Sequence, residues 1–395
     1  MPNSKYEARG VSATKSEVHA AIEGLDKGLY PKAFCKVLPD VVAGDPEYCN
    51  LMHADTAGTK TSLAYLYWRE TGDLSVWSGI VQDAMVMNLD DMACVGAVDN
   101  ILVSSTIGRN KRLLPAEVLK TIIQGARGFA DRMAEHGIRL HLSGGETADV
   151  GDIVRTIDVG YTTFARLRRN QLIVNDIRPG MVCVGLASYG QATYESSYNG
   201  GMGSNGLTSA RHDVLHHDYA AKYPESFEPE LPREVVYQGS KYLTDPISID
   251  EHTTTDIGKL ILSPTRTYLP VIKQLLSDQM NIRSQIGGLI HCTGGGQTKV
   301  VKFLGNVRVV KDQLMAPPPL FKLIQEESGT ALKEMYQVFN MGHRLEVYLP
   351  ESHAPAVIDL ARSFNIDAQI VGFVEAAEKA EVRIVTDSGI YSYEE

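Results

Sequence analysis

Three stretches in the first half of the chain combine carboxylates with glycines or a cation in the way polyphosphate chemistry requires. Holding a polyphosphate takes backbone N–H groups, a nearby cation and a carboxylate for a divalent ion. Residues His53 to Lys60 read His-Ala-Asp-Thr-Ala-Gly-Thr-Lys and supply all three. This is not a Walker A loop, because Thr59 separates Gly58 from Lys60; a plain turn is the alternative reading. In the second stretch, Asp90 and Asp91 follow Asp83 by seven and eight residues, so on a helix the three recur on one side. Their neighbours Met85, Val86, Leu89, Met92 and Ala93 are apolar. Carboxylates in such a setting need a partner, either a hard cation or a salt bridge to Lys or Arg. The third stretch, Ser143-Gly-Gly-Glu-Thr-Ala-Asp149, sets paired glycines beside Glu146 and Asp149. Glycines there let a backbone approach a ligand closely, although an acidic loop would look the same.

The second half holds three further candidates: Gly203-Ser-Asn-Gly206, Ser263-Pro-Thr-Arg266 and His291-Cys-Thr-Gly-Gly-Gly296. Each suits an oxyanion cradle of backbone N–H groups, with Arg266 as a permanently charged partner. Gly201, Gly203 and Gly206 also match the spacing of a dinucleotide fingerprint. They lie in a polar loop far from the nearest strand, which argues against that use. His212 and His216, with His217 and Asp218 adjoining, have a spacing open to zinc or to a polar helix face.

Elements must position these groups. Helical spacing is expected over Ser16 to Leu25, Ser62 to Glu70 and about Ile80 to Ala93. Pro115 to His136 predicts a further helix with Leu119, Ile122, Ile123, Ala126, Phe129, Ala130 and Met133 on one face, stopped by Gly137. Strands are expected at Arg139–Leu142, Arg155–Ala165 and Met181–Ala187. Beyond a polar segment from Ser188 to about Asp256, helices are expected at Arg266–Ser277 and Ser352–Phe364. Strands follow at His343–Leu349, Ala368–Val374 and Glu381–Val385. That alternation predicts an α/β class.

The 395 residues carry 44% hydrophobic and 22% charged residues, enough for two self-sufficient cores. No apolar run is long enough to span a membrane, so no membrane partner is expected. The net charge of −10 and the lack of a basic stripe exclude nucleic-acid binding. An anionic substrate would need a local site against that field. Five scattered cysteines predict neither a disulfide framework nor a zinc-thiolate site, and a cytoplasmic setting.

Taken in order, these segments resemble the phosphoribosylformylglycinamidine cyclo-ligase family, the aminoimidazole ribonucleotide synthetases. The family's Asp-Gly-Val-Gly-Thr-Lys is similar to Asp55–Lys60, and its Asp with Asn-Asp seven residues on, then Gly-Ala, to Asp83, Asp90-Asp91 and Gly96-Ala97. Its Gly-Gly-Glu-Thr-Ala-Glu resembles Gly144–Asp149. Its Ser-Asn-Gly, Pro-Thr-Arg, His-x-Thr-Gly-Gly-Gly and Phe-Asn-Met-Gly blocks match Ser204–Gly206, Pro264–Arg266, His291–Gly296 and Phe339–Gly342. The sequence departs from the family in lacking an N-terminal glycine loop, in Thr56 and Asp90, and in Lys299 to Lys302 after the triple glycine. Its loops at Tyr189–Gly203 and Arg211–Thr254 are also longer than usual.

The resemblance implies a mixed α/β, two-domain synthetase-like fold. It would comprise an N-terminal arm over 1–48 and an ATP-binding domain over 49–174 whose sheet forms a barrel in a homodimer. A C-terminal α/β sandwich domain would span 175–395, with inserted loops at about 188–256. It also implies ATP and Mg²⁺ as cofactors, a ribonucleotide substrate and ring closure in purine biosynthesis. ATP would phosphorylate the formyl amide oxygen, and a nitrogen would then close the ring as phosphate leaves. Asp55, Asp83, Asp91 and Glu146 would hold the metal. Gly58, Thr59, Lys60, Gly144, Gly145 and Thr147 would meet the nucleotide. Ser204, Asn205, Arg266, Thr293, Gly294, Gly295 and Asn340 would meet the substrate. Asp55, Asp91, Lys60 and His291 would carry catalysis. Selenophosphate synthetase, thiamine-monophosphate kinase and a non-catalytic nucleotide-binding regulator are the alternatives.

Overall fold

The computed structural model describes residues 9–10, 21 and 24–394. Most of the helix expected over Ser16 to Leu25 lies outside them. The first half builds strands β1 (Val37–Pro39), β2 (Tyr48–Thr56), β3 (Ile101–Arg109), β4 (Leu140–Asp149) and β5 (Ile157–Arg168). Its helices are α1 (Lys60–Thr71), α2 (Val76–Ala93) and α3 (Ala116–Glu135). The strands form one sheet in the order β1-β2-β5-β3-β4, with β4 parallel to β3 and the other pairs antiparallel.

This sheet is open, which corrects the expected dimer barrel. Closure would need β1 and β4, its two edges, to pair with strands. Among the described residues β1, with only three residues, pairs with β2 alone, and β4 pairs with β3 alone.

The helix predicted from Pro115 onward has Pro115 as its extended N-cap. Its buried stripe is Val118, Ile122, Ala126, Phe129 and Met133, and Ile123 is exposed. Ile122, Ala126, Phe129 and Met133 thus face inward as expected, Leu119 and Ala130 are half-buried, and Val118 takes the place expected of Ile123. Helix α2 is buried almost all round, because β2, β5 and α3 all pack against it. An almost wholly buried helix carrying three carboxylates can keep them only by partnering them.

The glycine segment after the fourth strand is not a loop. Ser143 to Asp149 continues β4, so the strand expected to end at Leu142 runs to Asp149. A Cβ on Gly145 would fall 2.0 Å from the Ser105 carbonyl oxygen. That close approach sits at the register shift between Val103 and Ser105, where only glycine fits.

The second half contains β6 (Met181–Ala187), β7 (Tyr189–Gly190), β8 (Asn199–Gly200), β9 (Pro246–Ser248) and β10 (Thr254–Asp256). It continues with β11 (Gly288–His291), β12 (Val307–Lys311), β13 (His343–Pro350), β14 (Ala368–Ala376), β15 (Glu381–Thr386) and β16 (Gly389–Glu394). Its helices are α4 (Leu207–Val214), α5 (Asp218–Lys222), α6 (Ile257–Ile261), α7 (Leu269–Leu275), α8 (Pro319–Ser328), α9 (Leu332–Val338) and α10 (Ala354–Ser363). A seven-stranded sheet runs β11-β13-β6-β14-β12-β15-β16. The fold is thus a two-domain mixed α/β arrangement. No helix among the described residues is long and apolar enough to cross a membrane.

Candidate functional site

The carboxylates of α2 divide between two tasks. Asp83 accepts from Lys60 Nζ at 2.8 Å, Thr265 N at 2.7 Å and Thr265 Oγ1 at 2.5 Å. Lys60 Nζ also donates to the Ser263 carbonyl at 2.6 Å. One turn-pair further on, Asp90 accepts from Thr267 Oγ1 at 2.6 Å and Tyr268 N at 2.8 Å. Asp83 and Asp90 therefore bind the backbone of 263–268 to α2, satisfying an irregular stretch that supplies few partners of its own. Burial pushes the Asp83 and Asp90 carboxyls up and the Lys60 ammonium down, each opposed by its hydrogen-bonded or charged neighbours.

This placement corrects two expectations. Lys60 is the first residue of α1, has no exposed surface and is paired with Asp83, so it does not face a phosphate. Asp83 is equally enclosed and does not join Asp55 as an open metal ligand. The salt-bridge alternative is the one realised.

Asp91, on the neighbouring position of α2, points elsewhere. Its Oδ1 lies 2.8 Å from His291 Nδ1 and its Oδ2 3.4 Å from His53 Nε2. His53 Nδ1 is in turn 3.0 Å from Asn88 Oδ1, and Asn88 Nδ2 donates to Ala84 O at 2.8 Å. The carboxylate thus sits between an imidazole from β2 and one from β11. His291 Nε2 is buried without a partner. In the neutral tautomer that carries its proton on Nδ1, toward the carboxylate, Nε2 is a lone-pair acceptor.

Asp55 lies two residues beyond His53 at the exposed end of β2. It accepts the Thr56 N–H at 2.7 Å and leaves the rest of its carboxylate open. Asp55 and the partly exposed Asp91 are hard oxygen donors of the kind Mg²⁺ takes. Gly58 turns at φ +60° with open space around it, and Thr59 Oγ1 meets Thr208 Oγ1 at 2.5 Å.

Glu146 is not brought to this group. Register runs from Asp55 through Tyr161 and Ser105 to Gly145, three strand spacings or about 14 Å. Gly144, Gly145, Glu146 and Thr147 are all exposed on the edge strand.

Three second-half blocks do converge. A Cβ on Gly206 would lie 2.3 Å from the Phe339 ring, and one on Gly296 would lie 2.5 Å from the Phe339 carbonyl. The 201–206 loop, the 293–296 turn and the 339–342 turn can approach this closely only because glycines face Phe339. Asn340 clamps them, donating to Gly201 O at 2.8 Å and accepting from Ser188 Oγ at 2.8 Å and Gly342 N at 3.0 Å. Between them lies a small cavity of about 10 Å³, where Asn205, Thr293, Asn340 and Arg344 meet the apolar Met87, Met202, Val338 and Phe339. Ser204 Oγ is buried without a partner among the described residues; Gly294 and Gly295 follow Thr293, the first beside Asn205 and the second beside Lys299.

Arg266 is not part of that pocket. It has no exposed surface, and it grips Glu195 through Nε at 3.0 Å and Nη2 at 2.6 Å, and Ala187 and Tyr189 carbonyls through Nη1. It braces the insert instead of facing a ligand. The guanidinium at the pocket is Arg344, which sequence reasoning missed because it falls two residues past the Phe339–Gly342 block. His53 was also missed as a partner of Asp91.

His212 and His216 do not share a helix, because α4 ends at Val214. His212 is buried against Tyr237, while His216, His217 and Asp218 offer ligand atoms within 4.8 Å of one another.

Comparison with known proteins follows the same division. Residues 35–167 match the N-terminal domain of AIR synthase related protein, and residues 239–385 match its C-terminal domain. Phosphoribosylformylglycinamidine cyclo-ligase of Methanocaldococcus jannaschii is 28% identical over 74% of this chain and 70% of its own. The cyclo-ligase of Symbiobacterium thermophilum is 28% identical over 86% of this chain and 83% of its own. Among solved structures, hydrogenase maturation protein HypE in complex with ATP aligns with TM-score 0.52 at 14% identity, covering 87% of this chain and 83% of that one. Thermotoga maritima PurL complexed with FGAR aligns with TM-score 0.51 at 14% identity over 88% of this chain. The chain spans 45% of that PurL, and both likenesses speak to fold alone. Both domains of the pattern occur here in tandem and in order, so the chain belongs to the AIR synthase related superfamily.

Proposed function

We propose that the chain catalyses the ATP-dependent closure of formylglycinamidine ribonucleotide to aminoimidazole ribonucleotide. The observation that carries this reading is the carboxylate of Asp91 between His53 and His291. It joins the acid-bearing helix α2 to the strand that leads into the pocket. Cyclo-ligase relatives that align over most of the chain support it. So does a fold shared with HypE, whose solved complex holds ATP.

In this reading Asp55 and Asp91 would hold Mg²⁺, whose charge would offset that of the transferring phosphoryl group. The chain's residues do the rest. The turn at Gly58 and Thr59 borders the nucleotide, and the glycine loops around Asn340 orient the substrate. His291, aligned by Asp91, takes the proton from the closing nitrogen at Nε2. Cys292 is no nucleophile, since burial holds its thiol well above the ordinary range.

A homodimer completes the proposal. Met52, Phe164 and Leu102 share one register row on the sheet, with Met52 62% and Leu102 46% exposed. An apolar row open to water is a surface a second copy would cover. The test of function is direct. ADP release by the full chain with Mg²⁺ must depend on added formylglycinamidine ribonucleotide; hydrolysis indifferent to it would reject the reading.

A further inference from the structure

The turn between α4 and α5, outside the candidate active site, carries His216, His217 and Asp218 in succession. His216 Nδ1 lies 3.3 Å from Asp218 Oδ2, and His217 Nε2 lies 3.4 Å from Asp218 Oδ1. The two imidazole centroids are 4.0 Å apart. A tetrahedral ion with bonds of about 2.0–2.1 Å sets its ligand atoms about 3.3–3.4 Å from one another. Both His–Asp separations have that length, on the two oxygens of one carboxylate, and all three groups offer a ligand atom within 4.8 Å of the others.

The chain already holds these side chains in place. His216 N donates to Lys241 O at 2.8 Å and Gly239 N to Leu215 O at 3.0 Å, which laces the turn to residues 239–241. Tyr242 lays its ring on His216, with centroids 4.8 Å apart at 30°, and donates its hydroxyl to Asp218 Oδ2 at 2.6 Å. That bond orients the carboxylate, as the outer partner of a metal ligand does.

With its proton committed to Asp218, the Tyr242 oxygen, 3.0 Å from His216 Nδ1, has none to give the ring. The Asp218 N–H reaches that nitrogen only at 3.3 Å. An imidazole nitrogen, a phenol oxygen and a carboxylate therefore converge, and a cation must join them. A proton on each ring would press two imidazolium ions together at 4.0 Å, a repulsion that exposed ion pairs are too weak to justify. One divalent ion takes both rings neutral. Imidazole ligands favour a zinc-type ion over Mg²⁺, which takes oxygen. His217 and Asp218 are exposed, so the ion can enter from solvent and water can complete its fourth position.

We propose that His216, His217 and Asp218 bind one Zn²⁺-type ion, with water as its fourth ligand, and that the ion pins the α4–α5 turn of the insert. This site is independent of the Mg²⁺ assigned above to Asp55 and Asp91, and of the reaction.

The test titrates the metal-free full chain with Zn²⁺ alone by calorimetry, and with Co²⁺ followed by visible absorption. Wild type should take one Zn²⁺ per chain, melt higher with it, and give the intense Co²⁺ band of four-coordination. His217→Ala and Asp218→Asn should each weaken Zn²⁺ about tenfold or more and lose that band. The His217 side chain is 73% exposed, so His217→Ala should melt with metal-free wild type. His252→Ala, also exposed in the insert, should bind as wild type does. No Zn²⁺ bound by wild type, or unchanged affinity in both ligand variants, would overturn the proposal. Equal weakening by His252→Ala would overturn it by making the binding unspecific. So would loss in Asp91→Asn with retention in His217→Ala, which would move the ion between His53 and His291.

Discussion

Asp91 Oδ1 and His291 Nδ1 meet at 2.8 Å, although 200 residues separate them in the chain. One comes from α2 beneath the five-stranded sheet and the other from the edge strand of the seven-stranded sheet. Acid-bearing helix and glycine-rich pocket are thereby tied at one atom pair. The rest of the account builds on that junction.

Asp91→Asn keeps the shape but leaves His291 without an anionic partner. Turnover should fall about 10²–10³-fold. Stability should fall by about 1.5–3 kcal/mol, the scale of a hydrogen bond to a charged group. Steady-state kinetics beside urea unfolding would check both; full activity would remove Asp91 from the site.

Asp83 and Lys60 predict a different pattern. Among the described residues each is the other's only ion-pair partner, and both lie at zero exposure, so removing one strands the other. Asp83→Asn or Lys60→Met should cost about 3–5 kcal/mol. The double variant should cost less than the sum. Additive losses in that cycle would mean that the two act separately.

Acid should unfold the protein through buried groups of its second half. Burial raises Glu346, but Lys311 and His343 outweigh it and hold the carboxyl at about 2, below its usual 4.5. Its contribution is complete above pH ~4.5 and is lost as pH falls toward 2. Burial pushes His343 down from 6.5 against the pull of Glu346, and pushes His212 down to about 2, so folding disfavours protonation of both. The unfolded chain takes up their protons first, so stability declines from pH ~6.5 downward. Urea midpoints at pH 7.5, 5.5 and 4.0 should fall in that order, and a flat profile would contradict the assignment.

Gly206→Ala tests the interlock of the motif blocks. The added methyl would overlap the Phe339 ring at 2.3 Å and sit at φ +82°. A cost of about 1–3 kcal/mol is expected. Gly58→Ala, with open space at φ +60°, should cost only about 1 kcal/mol. Equal melting points for the two variants would refute the packing argument.

Much of this was legible in the residues. The helix from Pro115 and the strand at Met181 follow from periodicity and from proline and glycine punctuation. The exposure of Ile123 on α3 was not, because a helix with Ile122 and Ile123 adjacent gives no sign of which one faces inward. The segment Ser143–Asp149 reads as a loop from its glycines, yet parallel pairing with β3 makes it strand. Residue type alone could not separate Asp83 from Asp91 either. Both lie on α2, and only the positions of Lys60, Thr265 and His291, all distant in sequence, decide which is bound up and which is available. Arg266 and Arg344 changed places for the same reason, since Glu195 lies in an insert with no motif of its own.

The most direct test of the central claim follows one oxygen. Formylglycinamidine ribonucleotide carrying ¹⁸O in its formyl group is turned over by the full chain with Mg²⁺ and ATP. If the formyl oxygen is phosphorylated before the ring closes, the label must leave in inorganic phosphate, one atom per aminoimidazole ribonucleotide formed. Label released into water, or ATP consumed with no imidazole product, would contradict the account.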